Sequence, residues 1–299
     1  MNDARNRLIY LAGTIDLLYP GSGGTRAYTL LPHARLPRRL TPSRWWHPGR
    51  RLTLATRGSI AEHLGEVFGV PVETVLRVRP ARRANRKPVL EAYSGGELVA
   101  YVKIGDTERT RALVANEAAA LERLAGRPLK TVVAPTVLHH GSWRGLGVLA
   151  LSPLRVRRGR VTAPLLARAV KEIAATGDDG GHAWHGDLSP WNVAPSGDGR
   201  LLVWDWERYE IGVPYGFDVL HHLFQRALRR MDPATAARAC LAQSSRALAP
   251  LGLSAAQARQ TALRYLIALA DRHAADGHEP LGPPARWLNP LVDYQEALL

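Results

Sequence analysis

Hydrophobic and polar positions alternate along residues 73–104, as they do in half-buried β-strands. Three segments show the pattern: ETVLRVR, KPVLEAY and ELVAYVKI. The last two are separated by Ser94-Gly95-Gly96, a composition typical of a hairpin turn. Two further apolar runs, TVVAPTVLHHG and LGVLALSPL, predict strands between residues 131 and 154. Two short extended runs are also expected in residues 26–41. The pattern as a whole predicts an antiparallel sheet.

Helical spacing appears at fewer places in this half and dominates the second half. Ser59 and Glu62 have the spacing of a capping box and predict a helix ending near Phe68. Residues 107–125 predict a longer helix. Past residue 155 the apolar positions recur with helical period in APLLARAVKEIAAT, in FDVLHHLFQRAL, after Asp232-Pro233 and in QARQTALRYLIALADRHAA.

A sheet followed by a helical half predicts an α+β fold with two lobes. We expect residues 74–153 to form a small antiparallel β lobe with one helix, and residues 154–299 a larger, mainly helical lobe. Residues 1–73 are predicted to be a basic N-terminal extension or an accessory subdomain.

Charge adds one feature to this picture. The chain has 299 residues and a formal net charge of +14. Residues 1–90 hold 16 Lys and Arg against 5 Asp and Glu, so most of the excess lies there. Such a segment attracts polyanions. We favour an arginine-rich surface over nucleic-acid binding, because Ala, Arg, Leu and Gly are abundant along the chain.

Cysteine content and hydropathy bear on the location of the protein. Cys240 is the single cysteine and reads as a small residue on a helix, which fits a reducing compartment. No apolar stretch is long enough to span a membrane, and no cleavage site follows the N-terminal apolar patch. We therefore expect a cytoplasmic protein.

The first chemical candidates are a lysine and a glutamate. Glu117 shares a helix face with Leu113 and Leu121, where a lone carboxylate is costly to bury. The nearest cation in the preceding strand is Lys103. An ion pair between them would aim the ammonium at an anionic group. The alternative is an exposed lysine and a partly solvated glutamate.

The second set of candidates comes from HGDLSPWNV, residues 185–193, and LLVWDWE, residues 201–207. Phosphoryl transfer needs a carboxylate near the attacking hydroxyl and hard oxygen ligands for Mg²⁺. Asp187 suits the first need, and Asn192 and Asp205 suit the second. Carboxylates among Leu, Val and Trp are costly to desolvate without a cation, which supports the metal hypothesis.

These motifs resemble the aminoglycoside phosphotransferase and choline kinase family, which has a protein-kinase-like fold. The resemblance rests on HGDLSPWNV, VWDWE, GVPYGFDVLHHL and YVKI…NEAAALERL, and covers about residues 74–230. It implies an ATP- and Mg²⁺-dependent kinase that transfers the γ-phosphoryl group to a hydroxyl of a small molecule, such as an aminoglycoside, another sugar or a choline-like alcohol.

The resemblance also implies a role for each matching residue. Asp187 would orient or deprotonate the acceptor hydroxyl, and Asn192 and Asp205 would ligate Mg²⁺. Lys103, held by Glu117, would contact the α- and β-phosphates. The remaining roles are bracing of the catalytic loop by His185, tethering of that loop by Asp218, and a hinge to the adenine at Leu151 to Leu154.

The sequence departs from the family pattern in three places. RPARRANRKP, where a phosphate-covering loop belongs, contains no glycine. Its basic residues, Arg82, Arg83, Arg86 and Lys87, are candidates to bind phosphate by charge instead. The stretch from the hinge to residue 185 is short for the family, and residues 1–73 have no counterpart.

These departures keep two alternative functions open. One is a kinase-like enzyme that phosphorylates Ser or Thr of a peptide in a natural-product pathway. The other is an inactive pseudokinase that acts as a binding module. A small-molecule acceptor remains the first choice, a peptide acceptor the second, and nucleic acid is not favoured as a partner.

Paired aromatic residues suggest other sites, which we consider weaker. His221 and His222 point about 100° apart on a helix and cannot form a two-histidine metal face, so surface or capping roles are expected. Trp45 and Trp46 are expected to anchor an irregular segment to the body of the protein, with stacking on bases or a sugar as the alternative.

Overall fold

A computed structural model describes residues 3–21, 23–31, 39–77, 86–157, 159–178, 180–277 and 281–289. The chain divides into two compact units. The first comprises Met1–Ala118 and Thr136–Pro153, and the second Ala119–Pro135 and Leu154–Leu299. One of the boundaries between the units therefore lies after Pro153. Residues 1–73 belong to the same compact unit as the strands that follow them.

The first unit is built on an eight-stranded sheet. Its strands are β1 Thr25–Leu30, β2 Arg39–Pro42, β3 Arg50–Ala55, β4 Glu73–Arg77, β5 Val89–Ser94, β6 Glu97–Gly105, β8 Val137–Trp143 and β9 Leu146–Leu151. Their order across the sheet is β3-β1-β2-β4-β5-β6-β9-β8. Neighbouring strands run antiparallel throughout. The helices are α1 Asp3–Leu18, α2 Ile60–Phe68 and α3 Glu108–Ala125. The part of α3 from Ala119 onward belongs to the second unit.

The two faces of this sheet differ in polarity because side chains alternate along each strand. One face is apolar and packs in the core of the unit against Leu18 of α1 and Leu64 of α2. Its buried strand residues include Tyr28, Leu40, Leu76, Leu90, Val102 and Val148. The opposite face holds Arg77, Glu91 and Lys103, so the polar chemistry of this unit is gathered on one side of the sheet.

Several local predictions for this unit are confirmed. Helix α2 begins after Ser59, whose hydroxyl accepts the Glu62 N–H, and ends at Gly69 with φ 68°. Within residues 74–153 the described helix is α3, as expected. The two extended runs expected in residues 26–41 are β1 and β2, and residues 32–38 between them lie outside the described part. Helix α1 and strand β3 were not predicted.

The second unit is mainly helical. Its helices are α4 Ala163–Ala174, α5 Phe217–Leu228, α6 Pro233–Leu248, α7 Ala255–Ala275 and α8 Pro284–Trp287. The unit also has short strands: β7 Val132–Val133 precedes α4, and β10 His182–Trp184, β11 Val193–Pro195, β12 Leu201–Val203 and β13 Glu210–Val213 lie between α4 and α5. Cys240 is buried on α6, as expected of a small helical residue. An antiparallel sheet in one unit and helices in the other confirm the predicted α+β class.

None of the helices in the described part of the chain combines the length and the apolar character needed to cross a bilayer.

Candidate active site

The candidate residues fall in both units, and each group is built by its own unit. In the first unit, Lys103 of β6 donates from Nζ to both carboxylate oxygens of Glu117 on α3, at 2.8 and 2.6 Å. The Lys103 side chain is 12% exposed and the Glu117 side chain is fully buried. Burial of two opposite charges is tolerated when their geometry is good and both are paired. The pairing that the helix pattern suggested is therefore present.

A second buried carboxylate lies on the same face of the sheet. Glu91 of β5 is 2% exposed and accepts from Arg77 Nε at 2.6 Å and from the Tyr93 hydroxyl at 2.9 Å. Arg39 of β2 lies 3.4 Å from Glu91 Oε2, the oxygen that also accepts from Tyr93. Arg77 also donates to the Tyr101 hydroxyl at 3.5 Å. Sequence reasoning missed this cluster, although a glutamate inside the apolar run PVLEAY is a signal that could have found it.

The loop that carries Asp187 is fixed by a carboxylate from α5. Asp218 accepts the His185 N–H at 2.8 Å on one oxygen and the Gly186 N–H at 3.3 Å on the other. Asp218 is buried in the first turn of the helix, and burial raises its pKa to about 7. Asp218 therefore holds the backbone of residues 185 and 186 from α5.

His185 links the same loop to the segment before Asp205. Its Nδ1 accepts the Asp187 N–H at 3.2 Å, so its Nε2 carries the proton donated to the Trp204 carbonyl at 3.2 Å. The ring is fully buried, and burial lowers its pKa to about 4. His185 is therefore neutral at neutral pH and holds two chain segments together.

Asp187 itself is oriented through both carboxylate oxygens. Oδ1 accepts from the Ser189 hydroxyl and from His221 Nε2, the latter at 2.9 Å. Oδ2 accepts from Asn192 Nδ2 at 3.1 Å. Burial raises the pKa of Asp187, but the hydrogen bonds from His221 and Ser189 outweigh it and bring the pKa below its usual value. The side chain is thus an ionised carboxylate held in one orientation.

The expectation that His221 has a surface or capping role is wrong. His221 is almost completely buried, and burial lowers its pKa. Its Nδ1 lies 3.1 Å from the Tyr265 hydroxyl, which donates to it when Nε2 carries the proton for Asp187. Helical spacing could have indicated this, because His221 lies three residues after Asp218 and four after the buried Phe217.

Asn192 and Asp205 come together at one end of a hairpin. Strands β11 and β12 pair with Val193 opposite Val203, so Asn192 lies opposite Trp204, and the Trp204 N–H donates to the Asn192 carbonyl at 3.1 Å. Asp205 is the next residue and has φ 73°, a left-handed conformation that is uncommon outside glycine. Such strain is concentrated at functional sites.

Two further residues support the loop, and sequence reasoning missed both roles. Gly186 has φ 80°, and a Cβ there would lie 2.0 Å from the Arg208 carbonyl oxygen. Arg272 of α7 donates to the Gly186 carbonyl at 2.7 Å, and its guanidinium lies 5.1 Å from the Trp184 ring centroid. A contact between residues 86 positions apart leaves no local signal in the sequence.

The other candidates are less informative. Leu151 ends β9 in the first unit, and Leu154 begins the longer segment of the second unit, directly after the boundary at Pro153. Of the basic residues proposed to replace a glycine loop, Arg82 and Arg83 lie outside the described residues. The Arg86 guanidinium lies 4.1 Å from the ring centroid of Tyr10 on α1.

Comparison with known proteins supports the fold. No protein-family model matches the sequence, and no curated protein sequence matches it. A solved structure of a putative fructosamine-3-kinase from Haemophilus somnus 129PT matches with a TM-score of 0.51 and 12% identity over 74% of this chain and 91% of that chain. A streptomycin–ATP–APH(2″)-IIa ternary complex has a TM-score of 0.47 and 12% identity, with 72% and 89% coverage. Monomeric WbdD has a TM-score of 0.35 and 17% identity, with 59% and 44% coverage.

The first of these structures is covered over most of its length, which at 12% identity shows a shared fold. The two compact units, with an antiparallel sheet in one and helices in the other, agree with that comparison. This chain therefore has a protein-kinase-like α+β fold, the fold of the phosphotransferases that its motifs resemble.

Proposed function

We propose that this protein is an ATP- and Mg²⁺-dependent phosphotransferase that acts on a hydroxyl group. The observation that carries the proposal is the Asp187 carboxylate, which is ionised and oriented by His221, Ser189 and Asn192. A carboxylate so held can accept a proton from an attacking hydroxyl, as phosphoryl transfer requires.

The Asn192–Asp205 end of the hairpin fits a hard divalent cation. Asn192 uses its amide nitrogen on Asp187, which leaves the amide oxygen as its ligand atom, and Asp205 supplies a carboxylate. Bound Mg²⁺ would neutralise phosphate charge. Asp187 then holds the acceptor hydroxyl, while His185 and Asp218 keep the loop in place.

In the first unit we propose that Lys103 contacts the nucleotide phosphates. Glu117 engages the ammonium with both of its oxygens, which fixes its direction. The resemblance places the adenine hinge at Leu151 to Leu154, and this assignment stays a prediction. Arg86 and Lys87 are retained as candidates for phosphate binding by direct charge.

The acceptor we favour is a small-molecule hydroxyl. A peptide hydroxyl is the second candidate, because residues 17–61 contain eight arginines and no Asp or Glu, a charge that suits an acidic peptide. An inactive pseudokinase would bind nucleotide or a partner without transferring phosphate.

The test is transfer of labelled phosphate from ATP to panels of alcohols, sugars, aminoglycosides and Ser- or Thr-containing peptides. Asp187→Asn should abolish transfer while the variant still unfolds cooperatively. The matched control is Asp198→Asn, on the exposed turn between β11 and β12, which should keep activity. Equal turnover by Asp187→Asn and the wild type would refute the assignment of Asp187.

The proposed metal and phosphate roles have separate readouts. Asp205→Asn should raise the Mg²⁺ concentration needed for nucleotide binding, measured by calorimetry. Lys103→Met should weaken nucleotide binding, and because it takes the ammonium from the buried Glu117 carboxylate, the double variant Lys103→Met with Glu117→Gln is compared with it for stability. Nucleotide binding without transfer to any acceptor in the panels would favour the pseudokinase.

A further inference from the structure

Strand β3 forms one border of the eight-stranded sheet. The strand order begins β3-β1-β2, and among the residues that the structure describes β3 pairs with β1 alone. A sheet border offers a row of backbone donors and acceptors to any extended chain that reaches it. Such borders are common binding sites for peptides that add a strand.

The hydrogen-bond pattern identifies which residues of β3 face outward. The Ser43 N–H donates to the Ala27 carbonyl and the Leu31 N–H to the Arg39 carbonyl, so the odd-numbered residues of β1 bond to β2. Because antiparallel ladders alternate, the even-numbered residues of β1 bond to β3, through Arg50, Leu52 and Leu54. The backbone groups of Arg51, Thr53 and Ala55 therefore point away from β1.

The two sides of this border differ in chemistry. Leu54 is buried in the apolar core and Leu52 packs against it, so one side of β3 is hydrophobic. Arg51 lies on the other side, in register with Thr29 and exposed to solvent. A strand added here would meet leucine side chains on one face and an arginine on the other.

The stretch of sequence that forms this border is basic, and within it Arg26 of β1 is paired with Glu73 of β4. Residues 17–61, which contain β1, β2 and β3, hold eight arginines and no Asp or Glu. The connection that leads into β3 adds two exposed aromatic rings: Trp45 is 89% exposed and Trp46 is 58% exposed. The expectation that these tryptophans anchor the segment to the body of the protein is therefore wrong. Exposed tryptophan beside arginine is typical of binding surfaces.

We infer that β3 is a docking site for an extended acidic peptide in which apolar and acidic residues alternate. The peptide adds a strand through the backbone of Arg51, Thr53 and Ala55. Its apolar residues lie beside Leu52 and Leu54, and its carboxylates lie beside Arg51. A lipid surface or a nucleic acid would satisfy the charge but offers no ladder of amide and carbonyl groups for the strand. The inference does not depend on the proposed phosphotransfer, because binding needs no nucleotide.

The experiment measures fluorescence anisotropy of a labelled octapeptide of alternating Val and Glu with the full chain. Arg51→Glu should weaken binding by about tenfold, because a favourable charge becomes repulsive. Arg246→Glu makes the same change at an exposed position on α6 and should leave binding nearly unchanged. Equal loss in both variants would show a general charge effect and overturn the proposal.

The backbone requirement is tested by two further comparisons. Thr53→Pro removes an outward N–H and should abolish binding, whereas Thr53→Ala keeps it and should bind normally. A fully N-methylated peptide with the same side chains should not bind. If the N-methylated and the unmodified peptide bind equally well, strand addition is overturned. This comparison uses the wild-type protein, so it remains valid if Thr53→Pro does not fold.

Competing partners are tested alongside the peptide. Vesicles of phosphatidylcholine and phosphatidylserine in equal parts, and single-stranded oligothymidylate, are titrated under the same salt conditions. Binding of either one in place of the peptide would overturn the inference. Binding of the alternating peptide, with loss in Arg51→Glu and Thr53→Pro alone, would support it.

Discussion

The neutral state of His185 should make the second unit sensitive to acid. Both ring nitrogens are engaged only when the ring is neutral, since Nδ1 accepts from the Asp187 N–H and Nε2 donates to the Trp204 carbonyl. A second proton on Nδ1 would break the first bond and place a charge in a buried site. Acidification should therefore loosen the loop that carries Asp187.

The size of the effect follows from the shift in pKa. Burial lowers the pKa of His185 from 6.5 to about 4, while in the unfolded chain it keeps the ordinary value. The stability that neutral His185 contributes is therefore fully present above 6.5 and is lost as the pH falls towards 4. Between about pH 8 and about pH 5 the expected loss is about 2 kcal/mol.

The assay is denaturant unfolding followed by tryptophan fluorescence over that pH range. The Trp206 ring centroid lies 4.5 Å from that of His185 and should report on the same region. Between about pH 8 and about pH 5 the free energy of unfolding of His185→Asn should fall by about 2 kcal/mol less than that of the wild type, because the variant lacks the imidazole that titrates at this position. The other histidines titrate in both proteins, so their contribution cancels in the comparison. His182→Asn, at the exposed end of β10, should retain the wild-type pH dependence. Parallel curves for His185→Asn and the wild type would refute the reasoning.

Three other expectations concern packing and reactivity. Gly186→Ala places a Cβ 2.0 Å from a backbone oxygen and should cost more than about 3 kcal/mol in thermal unfolding. Gly277→Ala, with φ 84° and nothing within 4 Å of the added Cβ, should cost only about 1 kcal/mol. Glu91→Ala should lower the free energy of unfolding, measured in urea, by about 2 kcal/mol. The loss is limited because Arg39 and Arg77 are about one-third exposed, so water can replace part of their interaction with the carboxylate. An unchanged free energy would mean that the cluster does not stabilise the fold. Cys240, whose pKa is raised by burial to about 12, should react with a thiol reagent only in denaturant, and rapid labelling of the native protein would contradict its buried position.

Much of the candidate site could be anticipated from local sequence. Asp187 and Asn192 lie five residues apart in one loop, and a short hairpin brings Asp205 back to Asn192, so their proximity follows from a contiguous stretch. Lys103 and Glu117 could be matched because alternation and helical spacing each select one face. Their roles towards nucleotide and metal stay predictions.

The rest depends on contacts that no local pattern reveals. Arg272 reaches Gly186 from a helix 86 positions later, and Tyr265 reaches His221 from 44 positions later. The adjacent histidines His221 and His222 suggest only the question of a two-histidine metal site. The helical spacing of His221 from Asp218 is the feature that indicates its buried position on the same face of the helix. Strand β3 was missed because its two leading arginines obscure the alternation of Leu52 and Leu54.

The Glu91 cluster has a consequence for how the sheet assembles. Strands β2 and β4 share only a short ladder, with Arg39 opposite Arg77, and a short ladder alone selects its alignment weakly. Shifting β2 by one position along β4 would turn Arg39 into the leucine-lined core, away from the Glu91 carboxylate that it faces in the observed alignment. That penalty makes the misaligned arrangement costly, so a few charged side chains discriminate against mispaired strands while the chain is still folding.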